Sequence, residues 1–162
     1  PCGYYPGPKC RCTDYEIIKY RGKISGPIMD RIDIQKSVHP VDFFGINEKE
    51  PAMSSEQIRK RVEGARKIQQ ERYADEEGIN CNAQMSTSLI QKYCVLDKPS
   101  LELLRVVSEE FGYSARVIHK LLRLARTSAD LDASENIRLE DVQAVLSCRD
   151  LDQSNSKMMV VK

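Results

Sequence analysis

Arg116, Lys120 and Arg123 recur at four- and three-residue spacing, which sets three cations on one face of a helix. Arg116 falls in the first turn after Ser114, where unbonded backbone N–H groups and the helix dipole favour an anion. A guanidinium there adds two parallel hydrogen bonds to a phosphate. The pattern therefore describes a helix with a phosphate-facing end. A core helix with a solvated basic face fits the same spacing, since charged faces are usually just solvated. Cysteine placement is uneven. Cys2, Cys10 and Cys12 crowd the start, while Cys81, Cys94 and Cys148 are scattered through helical pattern, where cysteine behaves as a small apolar residue. His39 precedes Pro40 and His119 has no metal-ligating partner on its helix, so both read as boundary or surface histidines.

The element that must position Arg116 is the stretch from Ser114 to Leu131. Gly112 ends what precedes it, Ser114 is a good N-cap, and Ile118, Leu121, Leu122, Ala125 and Ala129 form one apolar face. Around it the pattern predicts further helices. One runs from about Asp14 to Tyr20 on Ile17, Ile18 and Tyr20, and Ser25-Gly26-Pro27 starts a single turn. Another begins after Ser54, with Gln57 completing a capping box, and runs to about Tyr73 on Ile58, Val62, Ala65 and Ile68. A looser connection, Asp75 to Gln84, leads to a short helix capped by Ser86 and carrying Leu89, Ile90 and Tyr93. Pro99 opens a helix bearing Leu101, Leu104, Val107 and Phe111, and a last helix spans about Arg138 to Ser147 on Leu139, Val142 and Leu146. Arg31 to Val38 alternates as the one convincing strand, and a lone strand makes no sheet. Residues 1–50 thus read as the end of a larger domain, 51–149 as a helical bundle, and 150–162 as a disordered polar tail with an apolar tip. The fold class is mostly α.

The chain has 162 residues and a formal charge of +1, which argues against a uniformly basic nucleic-acid binder but allows local patches. No apolar run is long enough to cross a bilayer, and the first residues lack the regions of a secretion signal. A chain this size with many leucines needs no disulfides, so a reducing, cytoplasmic location is expected.

Four stretches in order, CGYYPGPKCRC, YRGKISGPIMDRIDI, SSEQIRKRVEGAR and SARVIHKLLRLARTSADL, together resemble the C-terminal part of the magnesium-chelatase-related AAA+ ATPases. Within that group they are most similar to the ComM/YifB branch, and the resemblance covers residues 1 to about 149. It implies a truncated end of the α/β ATPase core followed by the helical lid, the sensor-2 domain. It also implies that the parent binds and hydrolyses ATP with magnesium in a homo-oligomeric ring, expected to be a hexamer. No G-x-x-x-x-G-K-[ST] loop occurs in these residues, so the chain alone is not expected to turn over ATP. Arg31 matches the family's arginine finger, acting in trans on the neighbour's nucleotide; pairing with Asp30 or Asp33 is the plainer role. Arg116 matches the sensor-2 arginine at the γ-phosphate. Cys2, Cys10 and Cys12 match cysteines of a zinc loop, incomplete here because the family's first cysteine would lie upstream of Pro1. Lys23 and Ile28-Met29 depart from the usual residues without changing charge or bulk much. The branch implies action on DNA, as a branch-migration helicase in natural transformation. A magnesium chelatase ATPase subunit is the alternative enzyme. A non-enzymatic helical module binding acidic partners or nucleic acid through basic surface is the alternative of another class.

Overall fold

A computed structural model describes residues 2–4, 7–36, 38 and 53–149. These divide into two compact units, the first ending at Ile32 and the second starting at Asp33. The polar stretch from Gly45 to Met53, whose Pro51 marks it in the sequence as a linker, and the expected tail from Asp150 lie outside the described residues, Met53 apart.

In the first unit, α1 spans Asp14–Arg21 and α2 spans Gly26–Met29. Thr13 caps α1: its Oγ1 accepts the Glu16 N–H at 3.3 Å, while the Glu16 carboxylate accepts the Thr13 N–H at 2.9 Å. That backbone bond, then the Thr13 hydroxyl, holds the Glu16 carboxyl below its usual range. Of the apolar positions expected on α1, only Ile17 is buried; Ile18 and Tyr20 are exposed.

The second unit is the helical bundle. Its helices are α3 Ser55–Arg72, α4 Thr87–Tyr93, α5 Lys98–Phe111, α6 Ala115–Leu131 and α7 Leu139–Leu146, with a 3-10 turn at Asn82–Gln84. The expected punctuation is present. Ser54 and Gln57 bond reciprocally, Ser86 and Ser114 cap α4 and α6, and the first turn of α5 holds Pro99; the Asp97 cap of α5 is not among the expected ones. Gly112 ends α5 at φ 63°, a left-handed position that glycine adopts without Cβ strain.

Helix α6 is the hub. It packs against α3, α4, α7 and the 3-10 turn, and α5 packs on α7. Four neighbours demand a wide buried face, so the stripe differs from the expected one. Val117, Leu121, Ala125 and Ala129 are buried, whereas Ile118 and Leu122 are half-buried at its edge. Helix α3 meets the core only through its C-terminal half. Ala65 is buried, but Ile58 and Val62 stay 50% and 45% exposed, so the expected four-residue stripe is half solvated. On α5, Leu104 is buried while Leu101 faces solvent.

The expected strand over Arg31–Val38 does not form in the described residues. One parallel bridge, Gln35 to Arg149, replaces it. Alternation supplied the pattern, but a strand persists only where a neighbour offers a ladder, and here the neighbour is the few residues leaving α7.

Candidate functional site

The three basic residues of the opening pattern end up in three environments. Arg116 is exposed at the N-terminal turn of α6, and among the described residues its side chain has no hydrogen-bond or ion-pair partner. Ser114 Oγ takes the Val117 N–H at 3.4 Å, while the N–H groups of Ala115 and Arg116 have no acceptor within the helix, as in any first turn. Lys120 is drawn to Asp33, Nζ to Oδ1 at 2.7 Å. Arg123 is pinned by a 2.6 Å bond from Nη2 to the Met85 carbonyl, with its Nε buried and unbonded. The basic face is thus not one uniform patch, and only its Arg116 end combines exposure with first-turn donors.

Arg31 follows α2 in the first unit. Its Nη1 donates to the Pro27 carbonyl at 2.6 Å, which folds the side chain back over the turn that precedes it. Proline at the start of α2 fixes that turn, and with it the carbonyl that Arg31 meets.

The cysteine loop brings its three thiols together. The sulfurs of Cys2, Cys10 and Cys12 lie within 4.8 Å of one another, with Cys2 to Cys10 at 3.5 Å. Zinc–thiolate bonds of about 2.3 Å in a tetrahedron put ligand sulfurs roughly 3.8 Å apart, so the cluster has the right size for three ligands. A backbone bond at Tyr4, then the Cys12 thiol, lower the Cys2 thiol to about 6, which favours the thiolate that a metal requires. At Cys10 a backbone bond at Cys12 favours the thiolate, but desolvation and the adjacent Cys2 and Cys12 sulfurs together outweigh it and raise the thiol. The donors present fit a zinc ion, with a fourth ligand to come from elsewhere.

A feature that spacing did not reveal lies at the other end of α6. Asp130 is buried, and its carboxylate receives both Arg72 Nη atoms, one at 2.8 Å, together with Arg126 Nε at 3.1 Å and Asn82 Nδ2 at 2.8 Å. Asn82 Oδ1 accepts from Tyr73 Oη at 2.8 Å and from Arg72 at 3.0 Å. Arg126 also clamps the turn after α6 through the Ser134 and Glu135 carbonyls, at 2.6 and 2.8 Å. That clamp helps hold Ala133 at φ 52°, a left-handed position that usually takes glycine. Desolvation raises the Asp130 carboxyl, but Arg72 and Asn82 outweigh it and leave it lowered; the same pairing raises Arg72. The available signal was Arg126 and Asp130, four residues apart beside Ala125 and Ala129, charges on an apolar face.

Residues 52–149 match the family described as magnesium chelatase, subunit ChlI C-terminal, and residues 1–44 match that described as magnesium chelatase, subunit ChlI. The uncharacterized protein YifB of Salmonella typhimurium is 32% identical over 155 residues, covering 94% of this chain and 29% of its own length. YifB of Escherichia coli has the same identity and coverage. The competence protein ComM of Haemophilus influenzae is 30% identical over 138 residues, covering 85% of this chain and 26% of its own. The chain spans less than a third of the length of these relatives. With its helical bundle, and matched over most of its length, the chain belongs to the magnesium-chelatase-related AAA+ family and is similar there to the YifB and ComM proteins.

Proposed function

We propose that this chain is the arginine-finger end of an ATPase core with its helical lid, in a protein that hydrolyses ATP as a homo-oligomeric ring, a hexamer, and acts on DNA. The observation that carries the reading is Arg116, exposed at the first turn of α6 and without a side-chain partner among the described residues. In this reading its guanidinium meets the γ-phosphate held by its own subunit, with the first-turn N–H groups and the helix dipole adding to the field. Arg31 reaches the neighbouring subunit's nucleotide in trans and stabilises the charge spread over the transferring phosphoryl group. Magnesium bound with ATP would supply neutralisation of phosphate charge.

The DNA role rests on the resemblance to the ComM branch. It is tested by ATP turnover of the full-length protein with single-stranded and branched DNA. Branched DNA is expected to raise turnover several-fold. Turnover that ignores both DNAs leaves the other enzyme reading, an ATPase subunit serving magnesium insertion into a porphyrin. No turnover at all leaves a helical interaction module.

Cys2, Cys10 and Cys12 would hold zinc, which would tie the ends of the loop over residues 2–12 together. Elemental analysis of the full-length protein is expected to find about one zinc per chain, and none in a Cys10→Ser variant. A metal-free wild-type protein would remove this part of the reading.

A further inference from the structure

Residues 33–36 run along the bundle as a short extended strap. Asp33 pairs with Lys120, whose side chain is only 16% exposed. The Gln35 N–H donates to the Cys148 carbonyl at 2.6 Å, and Gln35 and Arg149, both buried, form the parallel bridge. Lys36 Nζ donates to the Ser147 carbonyl at 3.0 Å, just past α7, where free carbonyls and the negative helix end favour a cation. Arg149 in turn lies over the Tyr113 ring, 5.5 Å from its centroid, and Tyr113 directly precedes Ser114, the cap of α6. The strap therefore grips α6 on both sides of Arg116: through Lys120 one turn after it, and through Arg149 and Tyr113 just before it.

We propose that this strap, fastened by the Asp33–Lys120 pair, is a positioning device for the first turn of α6 and hence for Arg116. The inference rests on the reading of Arg116 as the phosphate-facing residue. An ion pair with one exposed partner adds little to stability. Its effect on function is larger, because a charged group must be held within about 0.5 Å of its productive place, and a misplacement of about 1 Å can cost about 10²-fold in rate. Asp33 follows Arg31 by two residues, so the strap and the proposed finger share one stretch of backbone.

The test uses the full-length protein, with Asp33→Ala, Lys120→Ala, the exchange Asp33→Lys with Lys120→Asp, and Arg116→Ala as reference. Each single variant is expected to lower kcat for ATP hydrolysis by about three- to tenfold with KM little changed and Tm close to wild type, and the exchange to recover most of the loss. A purely structural pair would move Tm without a selective change in kcat. Wild-type kinetics in both single variants, beside a defective Arg116→Ala, overturn the strap and leave the role of Arg116 standing. Wild-type kinetics in Arg116→Ala itself overturn both.

Discussion

Arg116→Ala in the full-length protein is expected to lower ATP turnover by about 10² to 10³-fold, the usual cost of losing one donor aimed at developing charge. Its stability should stay within about 0.5 kcal/mol of wild type, because the side chain is exposed and has no partner among the described residues. Arg116→Lys keeps the charge but loses the planar fork, so it should recover only part of the rate. Arg31→Ala should cost more, about 10³ to 10⁵-fold, as for other arginines supplied in trans. The two variants together give a sharper test than either alone. One residue is proposed to act in cis and the other in trans, so a ring mixed from Arg31→Ala and Arg116→Ala subunits regains some interfaces with both guanidiniums. Steady-state ATPase assays of the mixture should exceed those of either variant alone. Additive, unrescued activities would count against the division of labour, and full turnover in either single variant would end that residue's assignment.

Asp130→Ala is expected to destabilise the helical bundle by about 3–5 kcal/mol, the cost of leaving a buried ion pair without one partner. The side chain of Asp130 is fully buried, and that of Arg72 is 12% exposed. Removing the carboxylate leaves Arg72 and Arg126 together without a counter-charge, and costs the Asn82 amide one of its two acceptors, Thr127 Oγ1 being the other. Denaturant unfolding followed by helical circular dichroism reads the loss as a lowered midpoint. Asp130→Asn keeps the shape and some hydrogen bonds but not the charge, and should fall between. The pH dependence has a definite sign. Asp130 is lowered in the folded chain, so its contribution is fully present above the unfolded carboxylate value of about 3.9 and is lost as pH falls through its folded value. Stability of Asp130→Ala should therefore depend less steeply on pH below about 4 than that of wild type. A variant as stable as the parent would show that water enters and solvates the two guanidiniums.

The helices, and the residues that start and stop them, were legible in the chain. Ser54 with Gln57, Ser86, Ser114, Pro99 and Gly112 each act through atoms within four residues of themselves, and local chemistry of that kind needs no partner from a distant element. The exposed position of Arg116 followed from the same reasoning. The strand over Arg31–Val38 was misjudged for the complementary reason: alternation is local, but a ladder is not.

By itself, then, the sequence determined where each helix begins and ends, which of them is amphipathic, and which end of α6 offers an anion its donors. Only the tertiary structure decided which charges are buried. Arg72 and Asp130 lie 58 residues apart and look like ordinary surface charges until α3 and α6 pack. The grip of residues 33–36 on α6 and the end of α7 is decided in the same way. The energy of a charge depends on what surrounds it in space, and periodicity along a chain carries no information about neighbours brought from far away.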